Sequence, residues 1–370
     1  MKSLAGALLI LTSTMLYGQV FTNKEVGKKN QAIADSLKKS EYPYSLPIWG
    51  DKATKAGYDL PYSAGLSAQY FTAESDILID NLSVGFNNGP MYDLDGIVRF
   101  DVAKSKASSF TFRPDVWLFP FLNIYGILGK SQASTQVGFG IWAPNDDGTE
   151  SELVEASTTV EFNTTTFGLG FTPTIGVGGG FLALDINVAW TDVPQLSQPA
   201  RSFVFGPRFG KNFKLKKPGS SVAVWVGGFR VDFQSQTDGS LPLSEVVGPE
   251  FGQNIDDAQQ GVADRQQQVE SWWNGLTPLE QANPVNQAKY DIANATLGRV
   301  GEILAAAETA ADNIQNATVQ YSMDKQVKDR WNFIVGGQYQ FSKHLMVRVE
   351  YGFLGSRTQL ITGVQYRFGL

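Results

Sequence analysis

From Gln359 to Leu370 the chain reads QLITGVQYRFGL. Leu360, Thr362, Val364, Tyr366, Phe368 and Leu370 share one face of an extended strand, and Ile361, Gly363, Gln365, Arg367 and Gly369 share the other. Successive side chains of a strand point to opposite faces, so this is a ribbon apolar on one side and small or polar on the other. The same period of two recurs from about residue 64. It predicts twelve strands, at 64–73, 77–87, 96–105, 108–118, 121–133, 158–172, 180–190, 201–212, 221–233, 329–341, 345–354 and 358–370. In a bilayer only closure satisfies every backbone N–H and C=O of such strands. The expected fold is all-β, an antiparallel transmembrane β-barrel of about 12 strands with a helical hairpin insert; an even count suits that architecture.

Which face turns outward follows from the apolar set. Val98, Phe100 and Val102 alternate with Arg99 and Asp101; Phe110, Phe112, Val116 and Leu118 with Arg113 and Asp115. Leu182, Leu184, Ile186, Val188 and Trp190 alternate with Asp185 and Asn187; Phe203, Phe205 and Phe209 with Arg208. Trp225, Phe229, Val231 and Phe233 alternate with Arg230 and Asp232; Val347, Val349, Tyr351 and Phe353 with Arg348 and Glu350. The inward set is then a charge ladder of Arg99, Asp101, Arg113, Asp115, Asp185, Arg208, Arg230, Asp232, Arg348, Glu350 and Arg367, joined by Gln338, Gln340, Asn332 and Gln365. Arg suits fork-shaped pairing with carboxylates, and such pairs form across a ladder. Two outcomes are open: an ion-pair network that fills the barrel, or a polar pathway whose charges set selectivity. Twelve strands about 4.8 Å apart and tilted ~40° give a backbone radius of roughly 12 Å, leaving a lumen about 10 Å across if the arginines do not bridge it. No apolar stripe is legible on the inward set.

Residues 234–326 break the period and read as helix. Ile255, Ala258, Val262, Val269 and Trp272 fall at 3-and-4 spacing, as do Tyr290, Ala293, Leu297, Val300, Leu304, Ala307, Ala311 and Ile314. Gly275-Leu276-Thr277-Pro278 and Asn283-Pro284 mark a turn and a helix start between them. The expectation is an antiparallel helical hairpin, with barrel strands at 64–233 before it and 327–370 after it.

The remaining bounds are mostly exclusions. Met1-Lys2, the apolar run Leu4–Leu16 and Tyr17-Gly18-Gln19 predict a secretory signal peptide over 1–18. The polar, Lys-rich stretch that follows predicts a leader segment over 19–63 with at most one short helix. The chain has no cysteine, which excludes disulfides and thiolate chemistry. It has one histidine, His344, which excludes a histidine-rich metal site and lies in an expected turn, Ser342-Lys343-His344. No cofactor is expected. The formal net charge of −6 argues against nucleic acid. Every lumen acid has an arginine nearby, which favours ionised carboxylates over acid–base catalysts; Gly178-Gly179-Gly180 reads as a turn and not a phosphate loop. An enzyme is not expected.

The aromatic-rich closing ribbon resembles the last strand of bacterial outer-membrane β-barrels. Two stretches, Arg113-Pro114-Asp115-Val116-Trp117-Leu118-Phe119-Pro120-Phe121-Leu122-Asn123-Ile124-Tyr125-Gly126 and Glu350 to Gln359 running on to Tyr366-Arg367-Phe368-Gly369, resemble uncharacterised porin-like outer-membrane barrels of Gram-negative bacteria. The resemblance implies the outer membrane and its lipid, engagement of the barrel-assembly machinery through the C-terminal strand, and a last strand that ends in the periplasm. Counting back from there puts the turn at Gly355-Ser356-Arg357 outside, His344 on the periplasmic side and the helical insert outside the cell. Pro120 and Asn123 would make a tight turn, with Trp117 and Tyr125 at the membrane interface. The function expected is a passive pore or narrow transporter for small polar solutes. The alternative is a structural or interaction protein with a plugged barrel, whose extracellular hairpin binds a partner.

Overall fold

Ten strands close on one another. The computed structural model describes residues 31–370 except 146–148, 194–197, 234–235 and 249; the expected signal peptide and residues 19–30 lie outside the described residues. The ring runs β1 (Ala64–Phe86), β3 (Val98–Phe119), β4 (Leu122–Pro144), β5 (Glu150–Val177), β6 (Gly180–Asp192), β7 (Ala200–Lys214), β8 (Ser221–Phe233), β11 (Trp331–Gln340), β12 (Leu345–Phe353) and β13 (Arg357–Phe368). Every neighbouring pair is antiparallel, and β13 closes the ring on β1, from Ala64↔Phe368 to Ser75↔Arg357. The short β2 (Tyr92–Asp93), β9 (Gln236–Pro242) and β10 (Thr318–Val327) lie outside this ring.

The expected twelve strands thus become ten, because two expected pairs are each one long strand. Residues 64–73 and 77–87 are both β1, and 96–105 and 108–118 are both β3. A bilayer-spanning strand needs only about 9–11 residues, and the polar residues Glu74, Asp76, Lys104 and Lys106 resemble turn residues at that length. They instead belong to the outward face of strands that run on: β1, β3, β4 and β5 have 22 to 28 residues, while β11, β12 and β13 have 9 to 12. Two mergers leave the count even, so every connection after β3 keeps its expected end; the connection at 87–97 moves to the upper end, where Leu94 and Ile97 pack against the helices.

The barrel therefore has two storeys. In the lower one all ten strands pair. At Asp76 the arrangement changes: its N–H donates to the Ser356 carbonyl at 2.8 Å, and its own carbonyl accepts from Lys328 N–H at 3.1 Å. Above that point β10 replaces β13 beside β1, with Ile77↔Val327 through Phe86↔Val319, and β9 pairs with the far side of β10. Residues 236–242 and 318–326, expected within a purely helical insert, lie in these two strands.

The insert's centre is helical. α4 (Phe251–Gly275) and α6 (Pro284–Ala311) lie side by side, with the short α3 (Leu243–Val246) before them and α5 (Pro278–Gln281) in the connection. Thr277 and Glu280 form a reciprocal capping box at α5, and Asn283 accepts from Val285 N–H at 2.9 Å ahead of Pro284 to start α6. Both α4 and α6 bury their 3-and-4 stripe: Ala258, Val262 and Val269 meet Ala293, Leu297, Val300 and Leu304, together with Leu94, Ile97 and Ala143 from the strand tips. The helices roof the upper storey at the end opposite the C-terminus.

The lower end is covered by the N-terminal segment. α1 (Gln31–Lys39) and α2 (Gly50–Lys55) precede β1, and Leu46 N–H donates to the Leu370 carbonyl at 3.2 Å while Ile48 N–H donates to Leu118 at 2.9 Å. Asp59 holds Lys214 and Lys343, each at 3.1 Å, tying this segment to two lower turns. Ala53, Tyr58 and Leu60 form a small core there, with Tyr42 and Trp117 against it.

Candidate functional site

Each storey turns a different chemistry inward. In the lower storey the exposed side chains are apolar: Leu66, Tyr70, Phe110, Phe112, Leu128, Phe171, Val224, Val349 and Tyr366. Its interior holds charges. In the upper storey the exposed positions are Lys104, Lys106, Gln132, Gln136, Glu161 and Asn163, and the interior is apolar. A lumen lined by two such surfaces contains two stacked cavities, about 270 Å³ below and about 710 Å³ above.

The lower cavity is built around Glu350, which is 1 % exposed. Its Oε2 accepts from Arg208 Nε at 2.7 Å and its Oε1 from Arg208 NH2 at 2.8 Å, a two-pronged pair. Trp225 Nε1 donates to the same Oε2 at 2.7 Å, and the Arg348 guanidinium lies over the Trp225 ring at 4.6 Å. Across the lumen Asp185 lies 3.5 Å from Arg208 NH1 and accepts from the Tyr125 hydroxyl at 2.5 Å and from Thr172 at 3.0 Å. Arg113 stacks on the Tyr125 ring at 3.8 Å. Trp225 and Tyr125 each lie flat against a glycine of the adjacent strand, Gly336 and Gly170, where any Cβ would collide with the ring. Strands β4, β6, β7, β8 and β12 thus meet in one network.

A second cluster closes the bottom. Arg367 NH2 sits 2.9 Å from Asp115 Oδ1, and Asp115 also accepts from Gln365 Nε2 at 2.6 Å and Asn123 Nδ2 at 2.7 Å. Arg367 Nε donates to the Tyr62 carbonyl at 3.0 Å, which joins the closing strand to the N-terminal segment. His344 accompanies it in the lower turn, with its ring between Tyr62 and Tyr366 at 4.6 and 5.5 Å. The arginines bridge the space, so the 10 Å lumen expected from a bare barrel is absent at this level.

Of the eleven ladder residues, Arg113, Asp115, Asp185, Arg208, Arg348, Glu350 and Arg367 line the lower cavity or its floor. Arg99, Asp101, Arg230 and Asp232 do not. Arg99 faces outward, paired with Glu150 and lying 4.5 Å over Trp142. The cause is a β-bulge between Phe100 and Val102, which skips one residue and inverts the phase above it. Asp101 is the skipped, exposed residue, and Val98 and Phe100 turn inward to line the chamber. Strand β8 is inverted throughout: Trp225, Phe229 and Val231 face in, while Val224 and Val226 are exposed. Arg230 and Asp232 pair with each other on the outside at 2.8 Å, near Arg330. β8 is apolar on both faces, so its sequence does not fix its phase.

Tyr125 and Trp117, expected at the membrane interface, are internal: Tyr125 is in the network and Trp117 packs toward the N-terminal core. For Tyr125 a usable signal existed, since it shares the face of the lumen residue Asn123. For Trp225 none did. The aromatic rim of the lower end is supplied by Trp49, exposed and 5.0 Å from Phe119.

The upper chamber overturns the expectation of a lumen without an apolar stripe. Ile77, Ile79, Val84, Phe100, Val137, Phe139 and Val160 line its walls. On β1 a second irregularity between Asp80 and Ser83 lets Ile77 and Ile79 below it and Leu82, Val84 and Phe86 above it all face inward. Ser75, Ser105, Ser109, Ser131, Thr164 and Thr166 line its lower part, above the charged network. Lys325 reaches from β10 across to the Thr135 hydroxyl at 3.0 Å. Among the described residues there is no group of metal-ligating side chains and no helix long and apolar enough to cross a membrane; the latter has no bearing on strands.

No protein-family model matches the chain, and no curated protein matches it in sequence. Solved structures do. The β domain of the Bordetella autotransporter BrkA is 10 % identical, with 83 % of this chain and 100 % of that one covered and a TM-score of 0.32. The transport unit of the autotransporter AIDA-I from Escherichia coli is 10 % identical, covering 94 % and 99 %, with a TM-score of 0.28. A Pseudomonas aeruginosa FadL homologue is 8 % identical, covering 95 % and 100 %, with a TM-score of 0.26. At TM-scores this low none of them fixes the strand count, the site or the function of this chain.

Proposed function

We propose that this chain is an outer-membrane transport barrel of a Gram-negative bacterium whose passage is shut at rest. The observation that carries this is the pair of stacked cavities in the lumen of a barrel with an apolar outer belt. A purely structural barrel would pack its interior solid; this one keeps space above and below a thin charged partition. The lower storey sits in the bilayer, where the short strands match its thickness, and the upper storey with the helical roof stands outside the cell. The C-terminal strand engages the assembly machinery. The partition is the Arg208–Glu350–Asp185 network, and the N-terminal segment covers the periplasmic mouth. Small polar solutes are the cargo that the partition itself suits.

Planar-bilayer conductance tests this. Wild-type protein is expected to carry no steady current. The double variant Arg208→Ala/Glu350→Ala, alone or with Trp49→Ala to loosen the lower cover, is expected to conduct while still running as a heat-modifiable folded barrel. Silence from both folded variants would overturn the passage.

A second reading is favoured by the hairpin tip. Leu279, Val285 and Ile292 are exposed beyond the roof, beside Trp273 stacked on Tyr290 at 4.4 Å. In that reading the filled lumen is permanent and the hairpin binds a partner at the cell surface. An unchanged surface phenotype after deletion of 266–290 would remove it.

A further inference from the structure

We infer that the upper chamber is a binding site for a single-chain amphiphile, a hydrocarbon tail ending in one anionic head such as a long-chain carboxylate. The walls come from separate elements: Ile79 on β1, Phe100 on β3, Val137 on β4, Val160 on β5 and Val319 on β10. Ile255, Val300 and Leu304 of the helices close the top. Roughly 300–1,000 Å³ is the usual range for small-molecule sites, and this chamber holds about 710 Å³. Voids walled by apolar side chains accept apolar guests. The small residues Ala73, Ala107 and Ala133 occupy inward positions that larger side chains would otherwise fill.

The head group is specified by a column of polar side chains along one flank of β1. Lys325 stands opposite Ile79, Arg357 opposite Ser75, and Gln359 opposite Ala73. Their partners at 73, 75 and 79 share the inward face of one strand, with Ile77 and Val327 between the last two, so the three line the chamber in a row. Among the described residues Lys325 donates to the Thr135 hydroxyl alone. Arg357 donates to the Phe229 carbonyl at 3.0 Å and lies over that ring, with Asp329 beyond ion-pair distance and its own Nε without an acceptor. Gln359 is 2 % exposed, and neither of its amide atoms has a partner.

Buried cations and amides are ordinarily paired, because burial without a partner is costly. The lower storey obeys that rule: each of its buried acids faces an arginine. The chamber reverses it, with two cations and a free amide and, among the described residues, no acid paired to them. The missing partner is an anion, and the apolar space above the column takes its tail. A neutral hydrocarbon would leave Lys325 and Gln359 unmatched, and a hydrophilic anion would leave the walls dry.

Full-length protein in phosphatidylcholine nanodiscs, titrated with dansyl-undecanoate and with its methyl ester against empty nanodiscs, tests the assignment. Wild-type protein should give saturable enhancement with the acid. Lys325→Met should weaken the acid about tenfold or more, the loss expected of one charge-assisted hydrogen bond, and leave the ester unchanged. Val160→Trp should abolish binding of both probes while the barrel stays heat-modifiable. No saturable binding by the wild type, an unaltered acid titration in Lys325→Met, or an equal loss of both probes in that variant would each overturn it. Binding is read without any current, so the chamber and the passage stand or fall separately.

Discussion

The two storeys share strands and solve opposite problems. Below Asp76, β1, β3, β4 and β5 turn apolar side chains outward and charges inward; above it the same strands turn Lys, Gln and Glu outward and Ile, Val and Phe inward. In the proposed membrane placement the lower half is organised for lipid outside, the upper half for water outside. One continuous hydrogen-bonded ladder serves both because backbone pairing is indifferent to which face is apolar. What differs is the source of stability. The lower interior depends on pairing of buried charge, and the upper on apolar burial beneath a helical roof.

The largest expected effect breaks the lower interior. Glu350→Ala removes the acceptor of Arg208 Nε and NH2 and of Trp225 Nε1 in a buried site, leaving Arg208 only Gly206 and Asp185. Removing one partner of a buried pair costs about 3–5 kcal/mol, to be read as urea unfolding followed by tryptophan fluorescence. Arg208→Met/Glu350→Leu should cost less than the Glu350→Ala single variant, because neither member of the two-pronged pair is left without the other and Asp185, though it loses Arg208, keeps the Tyr125 and Thr172 donors; an equal or larger loss would show that the network is not the main support. The matching change above is Leu297→Ala, at a fully buried roof position. It should cost about 2–5 kcal/mol, but locally. Hydrogen exchange should rise in α4 and α6 while the lower barrel keeps its heat-modifiability.

A third comparison uses the outer surface of a single strand. Phe171 and Thr159 both lie outward on β5, one in each storey. Phe171→Arg should destabilise the folded barrel in lipid by about 2–4 kcal/mol, whereas Thr159→Arg should stay within about 0.5 kcal/mol. Equal effects would erase the boundary between the storeys. The smallest effect belongs to Arg99. Its pair with Glu150 is solvent-exposed, so Arg99→Ala should change stability by about 0–1 kcal/mol and leave conductance of the double variant unaltered. A change in that conductance would return Arg99 to the passage.

Most of the lower storey was legible before any coordinates. On β6, β7, β12 and β13 the apolar face is unambiguous, and Asp185, Arg208, Glu350 and Arg367 lie inside as their phase requires. The helical seam was legible for the same reason: Ala258, Val262, Leu297 and Val300 keep a period that no strand shares. Legibility failed where phase is not constant. At the bulge beside Asp101 one extra residue inverts every position above it, so Arg99 leaves the lumen and Phe100 enters it. On β8 both faces are apolar and alternation carries no sign.

Alternation alone determined that this chain forms amphipathic antiparallel strands around an interior, since only one period fits its residues. It also set an even strand count, and hence the end at which each connection after β3 lies. Only the tertiary structure decided how many strands close the ring and where the polar face passes from inside to outside. That choice depends on what surrounds each length of strand, water, lipid, a helix or another strand, and a local pattern of side chains contains no record of it. The column Lys325, Arg357 and Gln359 is drawn from β10 and β13, strands that meet only because both pair with one flank of β1.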